Sequence, residues 1–151
     1  MSDPTDSTAG QLPAPDPWVH DDARPYWEGA AEGRLVLPRC TACDTVIWYP
    51  RGFCPACGSL DVQWFDAPGT GEVYSFSIPR RARGAYGGAA PYVLAYVELD
   101  LPDGVGGDGP GPRVITNIVD CDPWSVRVGD RVRAVFHPTE RGVALVRFRP
   151  A

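Results

Sequence analysis

Four cysteines constrain this chain more than any other feature: Cys40-Thr-Ala-Cys43, ten residues, then Cys54-Pro-Ala-Cys57. Each Cys-x-x-Cys pair turns back as a knuckle with both sulfurs on one side. Two such knuckles close a tetrahedron around a single cation. The ten-residue gap leaves room for a small hairpin between them. Asp44 and Gly58 directly follow the two knuckles, and both residue types tolerate the left-handed backbone that these turns often need. The spacing predicts a closed four-thiolate site with structural zinc. Two disulfides, or iron in place of zinc, share the same spacing, but zinc is the commoner occupant of a closed thiolate site. Protein fills all four positions, so the metal is expected to hold structure and do no chemistry.

At 151 residues the chain has the length of one ordinary domain or two very small ones. Its 44% hydrophobic content is enough for a core, while 17 Gly and 17 Pro point to many turns and little helix. The net charge of −5 is unevenly placed. Residues 1–32 carry seven acids against Arg24 alone, whereas residues 33–151 carry twelve acids and thirteen arginines. A near-neutral body argues against a general nucleic-acid binder, which needs a basic excess to release counterions. The first seventeen residues lack the basic start and apolar run of a secretory signal. No stretch approaches the roughly 20 apolar residues of a membrane helix. Thiolates poised for metal fit a reducing compartment, so a cytoplasmic location without a membrane partner is expected.

The sequence divides into four parts. Residues 1–17 are acidic, Pro-rich and poor in large apolar groups, the composition of a disordered tail. Residues 18–33 are expected to form a short helix capped by Asp21 or Asp22, with Pro25 in its first turn and Gly33 ending it. Residues 34–66 are the ribbon. Val46 to Tyr49 alternate as a hairpin strand would, Pro50 breaks the run, and Val62, Trp64 and Phe65 form a return strand. Residues 67–151 read as all-β, with five runs at 72–78, 92–100, 113–119, 131–137 and 143–149. A Pro-started helical turn is expected at 123–126. Together these predict a mainly β protein: a short helix, a rubredoxin-like zinc ribbon, and a five-stranded Greek-key barrel of the OB type. The Gly- and Pro-rich segment 101–112 is a surface loop and no phosphate loop, since no Lys-Ser/Thr follows it.

Several motifs stand in order along the chain: Pro-Tyr-Trp-Glu-Gly (25–29), Arg-Cys-x-x-Cys (39–43), Tyr-Pro-Arg (49–51) and Cys-Pro-x-Cys-Gly-Ser (54–59). Gly-x-Val-Tyr-Ser-Phe (71–76), Val-Glu-Leu-Asp (97–100), Cys-Asp-Pro (121–123) and Arg-Phe-Arg-Pro (147–150) follow. This order over residues 18–151 resembles the "domain of unknown function thirty-five" family of zinc-ribbon plus OB-fold proteins. Asp44 stands where that family usually has Gly, and the 101–112 loop is longer than usual. The resemblance implies an accessory subunit of acyl-CoA enzymes. Its partner would be a thiolase-fold thiolase or retro-aldolase, as in steroid side-chain degradation, or a MaoC-type enoyl-CoA hydratase. On that view the chain does no catalysis alone but is a required subunit, and it meets the CoA thioester through its partner.

The residues themselves offer no catalytic constellation. His20 and His137 lack an evident pocket and orienting partner. Cys121 sits between Asp120 and Asp122, which raise a thiol pKa and favour an inert, buried sulfur. Glu98 and Asp100 alternate on a strand, the pattern of a solvated face. Arg80, Arg81 and Arg83 precede a Gly-rich stretch, and forked guanidinium groups on a mobile loop suit the phosphates of CoA. A solvated loop tip is the plainer reading of the same residues. Arg147 and Arg149 have a weaker claim of the same kind. Trp18, Tyr26, Trp27, Trp48 and Tyr49 all fall in the N-terminal third, and a ribbon this small has too little core to bury them all. Some are therefore expected to form an exposed partner-binding patch. The competing function is a free-standing single-stranded nucleic-acid binder, because OB barrels serve that role elsewhere.

Overall fold

A computed structural model describes residues 11–151. A single helical turn at Asp21–Ala23 leads into α1, Arg24–Ala31. Neither aspartate caps it as expected. The N-cap is Ala23, without a side-chain bond, and Asp21 instead pairs with Arg24. Pro25 lies in the first turn, where its missing N–H costs nothing. Gly33, at φ 77°, ends the helix by donating to the Ala30 carbonyl at 3.1 Å, while Arg34 donates to Gly29 at 2.8 Å.

The ribbon sheet differs from the expected one. Its strands are β1, Val36–Cys40, and β2, Val62–Asp66, paired antiparallel from Val36 opposite Asp66 to Cys40 opposite Val62. Residues 46–49 form no strand. Val46 makes one isolated bridge to Arg39, and Ile47 donates to the Pro38 carbonyl at 2.8 Å. The first knuckle folds the chain back so tightly along β1 that only this short contact is possible. Pro38 disguises β1 in the sequence, since it removes a ladder donor. It is tolerated here with its carbonyl in use.

The barrel matches expectation in all five strands: β3 (Thr70–Ser77), β4 (Val93–Leu99), β5 (Arg113–Ile118), β6 (Arg131–Pro138) and β7 (Ala144–Pro150). They close in the order β3-β4-β5-β7-β6, with β5 and β7 parallel through Ile118 and Phe148. Closure leaves no free strand edge. The expected turn is present at Pro123–Ser125, where the Asp122 carboxylate accepts from the Trp124 N–H at 3.0 Å.

Helix, ribbon and barrel share one core. Ala23, Tyr26, Trp27, Leu35 and Leu37 belong to the same buried cluster as Val73, Val97 and Phe148 of the barrel. A Cβ on Gly29 would lie 2.4 Å from the Val36 side chain, so glycine is what lets α1 approach β1. Residues 11–17, part of the segment read as a disordered tail, carry no regular secondary structure and lie against the barrel. The Pro13 carbonyl accepts from Arg147 at 2.5 Å, and the Asp16 carboxylate accepts from the Arg141 N–H at 2.9 Å. Polar bonds to β7 and the β6–β7 turn hold this segment without an apolar core of its own. Residues 1–10 of that tail lie outside the described residues.

Candidate metal centre and partner surface

The two knuckles are built alike. Asp44 N–H donates to the Cys40 carbonyl at 2.9 Å, and Gly58 N–H donates to the Cys54 carbonyl at 2.8 Å. Both turning residues have positive φ, 62° for Asp44 and 78° for Gly58. Cys40 and Cys54 are buried with Ile47, and Val62 packs against them; Cys43 and Cys57 face outward. The four sulfurs lie within 4.8 Å of one another, with Cys40–Cys57 and Cys43–Cys54 each at 3.6 Å. A tetrahedron with zinc–sulfur bonds of about 2.3 Å has edges near ~3.8 Å, so these separations fit a shared zinc. They are far too long for disulfides, whose sulfurs sit about 2.05 Å apart.

The donor set also asks for a cation electrostatically. The Thr45 hydroxyl, 3.1 Å from the Cys43 sulfur, and the Thr45 backbone hold that thiol down at about 6. At Cys57 the Ser59 backbone favours the thiolate. The Cys40 and Cys43 sulfurs oppose it, and the thiol is pushed up to about 12. Four sulfurs this close cannot all be ionised without a compensating positive charge. A soft divalent metal supplies it and deprotonates the set.

Asp44 does more than turn the knuckle. Its carboxylate accepts from the N–H groups of Gly106 and Gly107, at 3.0 and 3.2 Å, and lies 3.4 Å from Arg39. Asp44 therefore fastens the 101–112 loop to the metal knuckle, and only the fold brings positions 62 and 63 residues apart together.

The candidate aromatics divide. Tyr26 and Trp27 are buried, 6% and 8% exposed, so they offer no surface patch in this chain. Their rings meet edge-on at 4.9 Å, and Trp48 meets Tyr26 at 5.6 Å. The surplus of aromatics is absorbed because α1 packs across the ribbon onto the barrel. Trp18, 80% exposed, and Tyr49, 38% exposed, remain at the surface, with Phe53 and Leu60 beside the second knuckle in sequence. Arg80, Arg81 and Arg83 are exposed, and no carboxylate pairs with them among the described residues. Arg80 lies over the Trp124 ring at 5.0 Å. Trp124, which sequence reading passed over, is held out by the Asp122-capped turn and is 48% exposed. The Asp-Pro-Trp order was its available signal.

The remaining candidates have structural settings. Glu98 is bonded by Arg113 at 3.0 Å, and Asp100 by Arg131 and by the Thr70 hydroxyl. Burial and then Asp122 and Asp120 raise the Cys121 thiol, the direction its neighbours imply. His20 is exposed beside Trp18, with ring centroids 6.1 Å apart. His137 Nδ1 lies 2.9 Å from Arg147, and burial followed by that guanidinium lowers its pKa. No helix among the described residues is long and apolar enough to cross a membrane.

Residues 27–63 match the family described as "ChsH2, rubredoxin-like zinc ribbon domain", and residues 64–137 match "ChsH2, C-terminal OB-fold domain". A Thermomonospora curvata protein named "Probable enoyl-CoA hydratase alpha subunit" is 35% identical over 138 residues. The alignment takes in 91% of this chain but only 40% of that relative's length. A "DUF35 domain-containing scaffold protein" of Methanothermobacter thermautotrophicus is 37% identical over 105 residues, covering 68% of this chain and 71% of its own. A chain of a solved structure described as "Ltp2-ChsH2(DUF35) aldolase" superposes with TM-score 0.73 at 33% identity. That match covers 89% of this chain and 98% of the other.

Proposed function

Because this chain belongs to the ChsH2 (DUF35) family of zinc-ribbon and OB-fold scaffold proteins, we propose that it is a non-catalytic subunit docking an acyl-CoA enzyme. The partner is a thiolase-fold thiolase or retro-aldolase, or a MaoC-type enoyl-CoA hydratase, in the cytoplasm. The observation carrying this reading is the near end-to-end match to a chain of an Ltp2–ChsH2 aldolase. The rest of the molecule is compatible with it. The zinc staples the ribbon, and the shared core holds ribbon and barrel in one arrangement. A surface so pre-organised loses little freedom on docking. Trp18 and Tyr49 are the aromatic anchors of the docking face, with Trp48, Tyr26 and Trp27 supporting them from beneath. The unpaired Arg80–Arg83 loop lies at the partner's CoA entrance, where guanidinium forks meet phosphate.

Affinity purification of the full chain from its native cell tests this directly. A thiolase-fold or hydratase-like subunit should co-purify, and the isolated chain should leave CoA thioesters untouched. Turnover of a CoA thioester by the isolated chain would overturn the accessory role. One observation favours a second reading, a single-stranded nucleic-acid binder: Tyr74, Leu94, Tyr96 and Ile115 are exposed on the outer face of β3–β5. Aromatics on such a face can stack bases. Against it stands the near-neutral charge of the body.

A further inference from the structure

The outer face of β6 and β7 holds an unusual concentration of positive charge under cover. Phe148 points into the core, so Arg147 and Arg149 alternate to the opposite face of β7. Arg147 is only 3% exposed. Its acceptors are neutral: His137 Nδ1 at 2.9 Å and the Pro13 carbonyl at 2.5 Å. Tyr86 stands beside the same guanidinium. Among the described residues no carboxylate pairs with it. Arg149 reaches Asp120 only at 3.8 Å, and its buried Nε has no partner. Arg149 also sits directly opposite Arg133 in the β6–β7 register, and like charges so placed repel. A buried cation without a counter-charge is costly.

His137 links this cluster to a cavity of about 370 Å³, whose lining includes Gln11, Leu12, Tyr92 and Cys121. Gln11 and Leu12 come from the same N-terminal strap that supplies the Pro13 carbonyl. The strap is tied down by Asp16, which accepts from the Arg141 N–H at 2.9 Å and is also bonded by the Thr139 side chain. It has no regular secondary structure.

We propose that Arg147 and Arg149, with Tyr86 and His137, form a binding site for a phosphoryl oxoanion. The Pro13 carbonyl occupies that site in the closed state. The ligand displaces the strap, takes over the Arg147 fork, and satisfies the idle Nε of Arg149. A three-oxygen phosphoryl group matches this number of donors better than a two-oxygen carboxylate. Asp120 is the one acid at the site and leaves its balance positive. The inference does not rest on the partner-enzyme reading or on Arg80, Arg81 and Arg83, though Tyr86 reaches the site from the same β3–β4 loop.

The test is an NMR titration of the full-length zinc protein with inorganic phosphate, with chloride and acetate controls at matched ionic strength. Adenosine 3′,5′-bisphosphate forms a further arm, to separate a free oxoanion from the phosphate end of a nucleotide. Saturable shifts at Tyr86, His137 and Leu12 are expected with phosphate or the bisphosphate and not with the controls. Arg147→Met should weaken binding roughly ten- to hundredfold, as loss of one or two charge-assisted hydrogen bonds does. Arg149→Met, at a less buried position, should weaken it also and guards against an unfolded Arg147 variant. Asp16→Ala should tighten binding about threefold or more, because releasing the strap raises the open population. No saturable shift in either phosphate arm would overturn the proposal. So would wild-type affinity in both Arg149→Met and Asp16→Ala, which would leave Arg147 as no more than an anchor for the strap.

Discussion

Single residues decide how the metal knuckle is held and what hangs from it. Cys40, Cys43, Cys54 and Cys57 form the one sulfur cluster of metal-binding geometry among the described residues. Replacing any of them by Ser should abolish stoichiometric zinc, read by elemental analysis, and unfold the ribbon, whose folding energy is largely that of the metal. A metal-free preparation that folds normally would contradict the centre altogether. Asp44 separates two roles in one side chain: left-handed turning residue and acceptor for the Gly106 and Gly107 N–H groups. Asp44→Gly keeps the turn, since glycine reaches positive φ freely, and removes only the acceptor. Amide exchange at Gly106 and Gly107 should speed up while zinc content is unchanged. A loss of about 1 kcal/mol per hydrogen bond is the scale to expect. Unaltered exchange would show that the loop holds its place by other contacts.

At the scale of elements, burial sorts the aromatics that composition lumps together. Trp18 and Tyr49 present surface, whereas Trp48 packs with Tyr26 against the shared core. Trp18→Ala should weaken complex formation with little change in melting temperature. Tyr49→Ala should weaken it with some loss of stability, because that ring meets Trp48 and Tyr26 edge-on. Trp48→Ala should lower stability by about 3 kcal/mol or more, the usual result of hollowing a core at an aromatic. The β3–β4 loop acts on a different quantity. Arg81→Ala should spare assembly and raise the KM of the complex for its CoA thioester, because only the phosphate contact is lost. Size-exclusion assembly assays alongside steady-state kinetics separate the two effects. If both sets of variants assemble and react like wild type, the docking face and the arginine loop have been wrongly placed.

For the whole molecule, the charge distribution sets which ligands can be held by electrostatics alone. Residues 33–151 are almost balanced, with twelve acids and thirteen arginines. No strand-binding protein gains much from counterion release with so little excess. Labelled single-stranded DNA and RNA should therefore bind no more tightly than nonspecifically at physiological salt. Sub-micromolar binding that falls steeply with added salt would favour the nucleic-acid reading over the scaffold.

Cysteine spacing located the metal centre, though only the sulfur separations excluded the disulfides that share that spacing, and alternation between turn residues determined all five barrel strands. Both are local codes: ligand pairs two residues apart and side chains that change face at every step. Gly33, just beyond the end of α1, was legible for the same reason. Tertiary structure alone decided which strand pairs with β1, where Pro38 masked the strand and β2 rather than residues 46–49 took its edge. It also decided that Tyr26 and Trp27 are core, since their burial depends on the barrel lying across α1. It alone brought Asp44 to Gly106, and Pro13 to Arg147 across 134 residues of chain. These choices depend on which distant surfaces meet. Local spacing carries no record of that, because the partner's position is set by packing of the whole core.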